Sequence, residues 1–138
     1  MDTQRQFIRR RAMLLLALFL TIACGLALRR FGYAADLPFT VVKYGGSILW
    51  GAMVYWLLAT LFVTGRPFKI AFGALILATA VEFFRLWHAP ALDAFRLTTA
   101  GALLLGRVFS LWNIVSYAIG IAAALALDRI LLAVRRAN

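Results

Sequence analysis

The sequence predicts an all-α integral membrane protein, with four transmembrane helices and a short re-entrant or interfacial helix between the third and the fourth. Three observations lead there. Apolar residues fill 64% of the 138 positions and mean hydropathy is +0.90, more apolar surface than a water-soluble chain of this length covers. The 15 basic and 5 acidic residues gather mostly between apolar runs, as interface anchors do. The runs themselves approach the roughly 20 residues that a helix needs to cross a hydrocarbon core of about 30 Å.

The first run, Ala12 to Leu28, begins after Arg9, Arg10 and Arg11 and ends at Arg29 and Arg30, which sets helix one at about 12–28. Its basic start and the stretch Thr21-Ile22-Ala23-Cys24 loosely resemble a lipoprotein processing signal. Thr21 stands where such signals prefer Leu, and the run stays apolar past Cys24, so the segment is expected to remain. Residues 29 to 46 read as a polar connector built on Arg29, Arg30, Asp36, Pro38, Lys43 and the Gly45-Gly46 pair. Helix two follows at about 47–64. Gly65-Arg66-Pro67 marks a tight turn into helix three, about 70–87, and so short a link makes the two antiparallel. Beyond His88, Pro90 suits a first helical position, with Asp93 in the first turn and Arg96 three residues on. This short helix, about 90–108, holds too few apolar residues to span and belongs at the membrane face. Helix four covers about 114–132, completing a single membrane domain over residues 1–138.

Charge sets the expected orientation. The side with both termini and the 65–69 turn carries Arg5, Arg9, Arg10, Arg11, Arg66, Lys69, Arg129, Arg135 and Arg136; the other carries Arg29, Arg30, Lys43, Arg85, Arg96 and Arg107. The positive-inside rule therefore places both termini in the cytoplasm. The same distribution argues against nucleic acid as the partner of a chain with net charge +10, since most arginines flank apolar runs and face anionic membrane surfaces instead. The lone Cys24 forms no internal disulfide.

Ionisable groups within spanning segments are costly and need a partner or a cavity. Glu82 and Arg85, three apart on one helix face, are expected to pair, with Ala74 and Ala78 opening the same face to a neighbouring helix. Ser116, Gly120, Ala124 and Asp128 make a second face at four-residue spacing, with Asn113 and Tyr117 beside it. Asp128 requires a neutralising cation, Arg129 or an arginine of the amino-terminal arm. On helix two, Ser47, Gly51 and Tyr55 share a face flanked by Trp50 and Trp56, and Trp50 reads as an outer-interface residue.

A cluster on the outer side draws on three segments: Lys43 and Tyr44; Arg85 and His88; and Asp93, Arg96, Thr98, Thr99 and Arg107. Its ordinary reading is a headgroup-contacting face. Its sharper reading is a pocket for an anionic headgroup, with Arg85, Arg96 and Arg107 as bidentate donors. No catalytic residue, cofactor or metal is assigned. His88 is the single histidine, and no HExxH or cysteine cluster exists. Ser47, His88 and Asp93 lack a nucleophile elbow or oxyanion turn. Gly101 and Gly106 do not make a phosphate loop.

Two stretches carry a family resemblance. Lys43-Tyr44-Gly45-Gly46-Ser47-Ile48-Leu49-Trp50, followed by Met53-Val54-Tyr55, resembles the Lys-Tyr-x-Gly-Asp-x-Leu-Trp signature of the bacterial membrane family called domain of unknown function 2809. Glu82-Phe83-Phe84-Arg85, then Leu92-Asp93-x-x-Arg96-x-Thr98, then Leu103-Leu104-Leu105-Gly106-Arg107-x-Phe109-x-x-Trp112-Asn113, resembles its second half. The resemblance covers about residues 30 to 130, and the family is distantly similar to VanZ-like proteins. Ser47, Arg85 and Asn113 stand where that pattern has Asp, Gln and Asp. The resemblance implies a bacterial inner-membrane protein and supports the architecture more than any chemistry.

Together these readings give a small polytopic protein whose partner is membrane lipid or an amphiphilic ligand. It is expected to bind an anionic headgroup on the outer side through residues drawn from Lys43, Tyr44, Ser47, Tyr55, Glu82, Arg85, His88, Asp93, Arg96, Arg107, Asn113 and Tyr117. The alternative is a proton-coupled small transporter, or a subunit of one, that titrates at Glu82.

Overall fold

The computed structural model describes residues 2–137. It contains six helices, α1 (Asp2–Phe31), α2 (Phe39–Leu61), α3 (Pro67–Phe84), α4 (Pro90–Arg96), α5 (Thr99–Leu104) and α6 (Leu111–Ala137), and no strand among the described residues. Helices α1, α2, α3 and α6 are long and apolar enough to cross a membrane. Their outward faces carry Leu16, Phe19, Leu20, Phe72, Ile76, Ile119 and Ile130, all exposed. A continuous apolar girdle of this kind matches lipid rather than water.

Helix boundaries differ from the sequence expectation where polar residues lie on a helix rather than beside it. The amino-terminal arm is helical from Asp2, so α1 projects about three turns beyond its apolar run. The expected 29–46 connector shrinks to residues 32–38, because α2 begins at Phe39 directly after Pro38. Gly45 and Gly46 therefore lie inside α2, and they present no side chain to α1, whose Leu28 and Arg29 approach them. The expected 90–108 helix is two: α4 and α5 are separated by Leu97 and Thr98. Thr98 caps α5, its hydroxyl accepting the Gly101 N–H at 3.0 Å. Pro67 and Pro90 each open a helix, where the missing N–H costs nothing.

Helix α2 is the centre of the bundle and packs on α1, α3 and α6; α3 also packs on α6. Helices α2 and α6 run parallel, both starting at the end opposite the termini. They meet at Gly51 and Gly120: a Cβ on Gly51 would lie 2.5 Å from the Tyr117 carbonyl oxygen, and one on Gly120 would fall on the Ile48 carbonyl oxygen. Close backbone approach through small residues is how helices associate when lipid supplies no hydrophobic drive. The expected small-residue faces are buried as their spacing requires, Ala74, Ala78 and Glu82 on α3 and Ser116, Gly120, Ala124 and Asp128 on α6. Trp50 is a correction to the sequence reading. It is 8% exposed and packs against Tyr117 with ring centroids 4.8 Å apart, inside the bundle rather than at its interface. Its position on the face of α2 that meets α6 decides this, and the amphipathic character of tryptophan does not.

Candidate functional site

Two buried knots of carboxylate, tyrosine and arginine sit at opposite ends of the bundle. At the end away from the termini, Glu82 is fully buried and both its oxygens are shared. Oε1 accepts the backbone N–H of Ser110 at 2.7 Å and Asn113 Nδ2 at 3.1 Å. Oε2 accepts the Tyr117 hydroxyl at 2.7 Å and meets Arg85 Nη1 at 2.6 Å. The expected Glu82–Arg85 pair thus exists, but it is half of the arrangement. Ser110 lies immediately before α6, so the carboxylate of α3 stands at the amino end of a 27-residue helix, where unpaired N–H groups and the macrodipole favour an anion. With four donors the carboxylate is saturated.

At the end that carries both termini, Asp128 is also fully buried. Arg10 grips it with a two-pronged bond, Nη1 to Oδ1 at 2.8 Å and Nη2 to Oδ2 at 3.1 Å, and Tyr55 donates to Oδ2 at 2.6 Å. The arm supplies the counter-charge; Arg129, the other candidate, lies over the Phe68 ring at 4.8 Å. One carboxylate therefore joins α1, α2 and α6.

The expected cluster of arginines is largely turned inward, onto helix ends. Arg85 donates through Nε to the Leu105 carbonyl at 2.6 Å and through Nη1 to Val108 at 3.3 Å, closing the end of α5. Arg96, 3% exposed, donates to the carbonyls of Trp87 at 2.7 Å and Phe84 at 2.8 Å, and pairs with Asp93 at 3.0 Å. Arg107 reaches the carbonyls of Arg96 at 3.3 Å and Leu97 at 3.4 Å, at the end of α4. Each arginine thus meets the negative end of a helix, the placement that dipole and unpaired carbonyls favour. Gly106 makes this possible. Its φ is +68°, and the Arg85 guanidinium lies where a Cβ would stand.

A cleft of about 340 Å³ opens beside the Glu82 knot. Of the sequence-predicted residues, Lys43, Ser47, Arg85, Arg107 and Asn113 line it. Ser47 Oγ lies 3.3 Å from Asn113 Oδ1 and 3.2 Å from the Lys43 carbonyl oxygen. The remaining predicted residues lie elsewhere. Glu82 and Tyr117 are beneath it, Tyr55 is at the far knot, and Arg96 is packed against α3. His88 and Asp93 meet each other at 3.2 Å on an exposed edge. Tyr44 contributes a ring 5.2 Å from Lys43 Nζ, and Phe39 adds another at 5.8 Å.

Arg29 and Tyr33 also line the cleft, and sequence reasoning missed both as site residues. Arg29 read as a flank of the first span. No sequence signal marked its role, because residues 29 to 46 read as connector; the shorter link of residues 32–38 stands the last turns of α1 beside the first turns of α2. Arg29 and Lys43 have no hydrogen bond or ion pair from their side chains to other described residues, so their charges face the cleft without a protein anion.

Residues 37–121 match a family model described as "Protein of unknown function (DUF2809)", more than half of the chain. The matched span contains the Glu82 knot and most of the cleft; Arg10, Arg29 and Asp128 lie outside it. No solved structure matches the chain.

Proposed function

We propose that this chain, which belongs to the DUF2809 family of proteins of unknown function, binds an anionic headgroup in the cleft between α1, α2 and the start of α6. The ligand is a membrane lipid or a comparable amphiphile. The observation that carries this reading is the lining: Arg29, Lys43, Arg85 and Arg107 with no carboxylate among the lining residues. Arg85 and Arg107 are held by backbone carbonyls and Glu82, so they form a fixed positive wall, while Arg29 and Lys43 supply the charges free to meet a phosphate. Ser47 and Asn113 add neutral polar groups at the floor. Such an arrangement suits a ligand whose charge must enter a partly desolvated site.

In this reading the protein lies in a bacterial cytoplasmic membrane with both termini inside. The cleft then opens to the outer leaflet, with α4 and α5 at the outer face. The saturation of Glu82 by four donors supports a structural task for that carboxylate over proton carriage, because a relay group has to release its partners to take up a proton.

Native mass spectrometry of the purified protein with mixed phosphatidylglycerol and phosphatidylcholine tests the proposal. The wild type is expected to retain phosphatidylglycerol preferentially. Arg29→Gln with Lys43→Gln should reduce that preference about tenfold or more, from roughly 1 kcal/mol per basic residue at an anionic surface. Equal retention of the two lipids by the wild type, or an unchanged preference in the variant, would overturn it.

A further inference from the structure

The end of the bundle that carries both termini has its own cleft, of about 790 Å³, between the first turns of α1, the last turns of α6 and the end of α2. Helices α1 and α6 do not pack on each other there. They are joined by the Arg10–Asp128 pair and by Arg135 Nη2, which reaches the Gln6 carbonyl at 3.5 Å. Arg9, Arg10, Arg135 and Arg136 line the gap, and among the described residues no carboxylate does. We infer that this gap is a second phosphate-binding site, separate from the outer cleft and recognising the phosphate of a lipid headgroup or of a soluble polyphosphate.

Charge balance is the first argument. Asp128 compensates Arg10, but Arg9 and Arg136 have no anionic partner among the described residues. Arg9 also lines the same gap as Arg135 and Arg136, so like charges face one another across it. An anion entering the gap relieves that repulsion. The second argument is architecture. In both clefts a wall arginine is clamped from beneath by a buried carboxylate that also takes a tyrosine hydroxyl: Arg85 with Glu82 and Tyr117, Arg10 with Asp128 and Tyr55. Arg10 is 9% exposed and uses one N–H on each of its terminal nitrogens for Asp128, so the rest of its fixed fork remains for a phosphate. The third argument is size. The gap falls in the range of ligand sites, roughly 300–1,000 Å³, and its α1 lining, Thr3 to Arg10, precedes Ala12, where the apolar run begins.

Arg9 and Arg136 are exposed, so Arg9→Gln with Arg136→Gln should leave the melting temperature in detergent unchanged. Two measurements separate the ligand sources: calorimetric titration with inorganic pyrophosphate in phosphatidylcholine nanodiscs, and native mass spectrometry of retained phosphatidylglycerol. The double variant is expected to weaken whichever of the two the wild type binds by about thirtyfold, two basic residues at roughly 1 kcal/mol each. Lys43→Gln acts on the outer cleft, so its effect on phosphatidylglycerol retention should add to that of the double variant rather than replace it. Loss of pyrophosphate binding identifies a soluble ligand, and loss of one retained phosphatidylglycerol identifies a lipid. Pyrophosphate binding and lipid retention both unaltered by the double variant would overturn the second site whatever happens at the first. An effect of the double variant without any effect of Arg29→Gln and Lys43→Gln would overturn the outer site alone.

Discussion

Glu82 of α3 accepts the backbone N–H of Ser110 at 2.7 Å, so a side chain from one spanning helix holds the entry of another. This contact changes what the Glu82–Arg85 pair means. An ion pair alone could be replaced by two apolar residues at little cost, whereas a carboxylate that also satisfies Ser110, Asn113 and Tyr117 cannot.

Removing Glu82 or Arg85 singly is accordingly expected to destabilise the protein by about 3–5 kcal/mol, through an uncompensated buried charge. The double variant Glu82→Leu with Arg85→Leu should not recover the loss, because three donors remain without an acceptor at about 1–3 kcal/mol each. Melting temperatures in detergent check this. Near wild-type stability in the double variant would mean that the hydrogen bonds to Ser110, Asn113 and Tyr117 contribute little.

The other knot should respond differently. Arg10→Leu or Asp128→Leu alone should cost a similar ~3–5 kcal/mol. Combining both with Tyr55→Phe should restore most of it, since no backbone group depends on Asp128. Arg10→Lys should stay destabilised, because an ammonium cannot reproduce the fork that spans Oδ1 and Oδ2. The same thermal measurement on the single, triple and lysine variants gives the comparison.

Gly120→Ala is expected to lower the melting temperature markedly, by the equivalent of about 1–3 kcal/mol or more. The new methyl falls on the Ile48 carbonyl oxygen and forces α2 and α6 apart. Gly73→Ala is the control: its nearest neighbour is Leu58 Cδ1 at 3.9 Å. It should be neutral, or stabilising by up to ~1 kcal/mol from helix propensity.

Orientation is testable in cells. A reporter active only in the cytoplasm should function at the carboxyl end, and one active only in the periplasm should stay silent, as the excess of basic residues at that end requires. A periplasmic signal there would invert the assignment of both clefts.

Composition and patterning carried the architecture. Four apolar runs separated by Arg, Pro and Gly clusters predict four helices long and apolar enough to cross a membrane, as the structure has, because in lipid each backbone group must be bonded within its own helix. Four-residue spacing likewise determined which faces of α3 and α6 are buried, since 3.6 residues per turn stack such positions on one side. The three-residue spacing of Glu82 and Arg85 gave their pairing for the same reason.

Everything that depends on which helix lies against which was decided by the tertiary structure. Periodicity shows that Asp128 faces inward, but Arg10 and Arg129 were equivalent as partners until the packing of α1 on α2 brought the arm alongside. The arginines around α4 and α5 form a cationic cluster in sequence, yet Arg96 and Arg85 are largely spent on carbonyl groups at helix ends, whose positions follow from chain reversals that no local pattern encodes. Arg29 entered the cleft for the converse reason: its helix and α2 are joined by a short connector and packed through Gly45 and Gly46, and only that approach sets its charge beside Lys43.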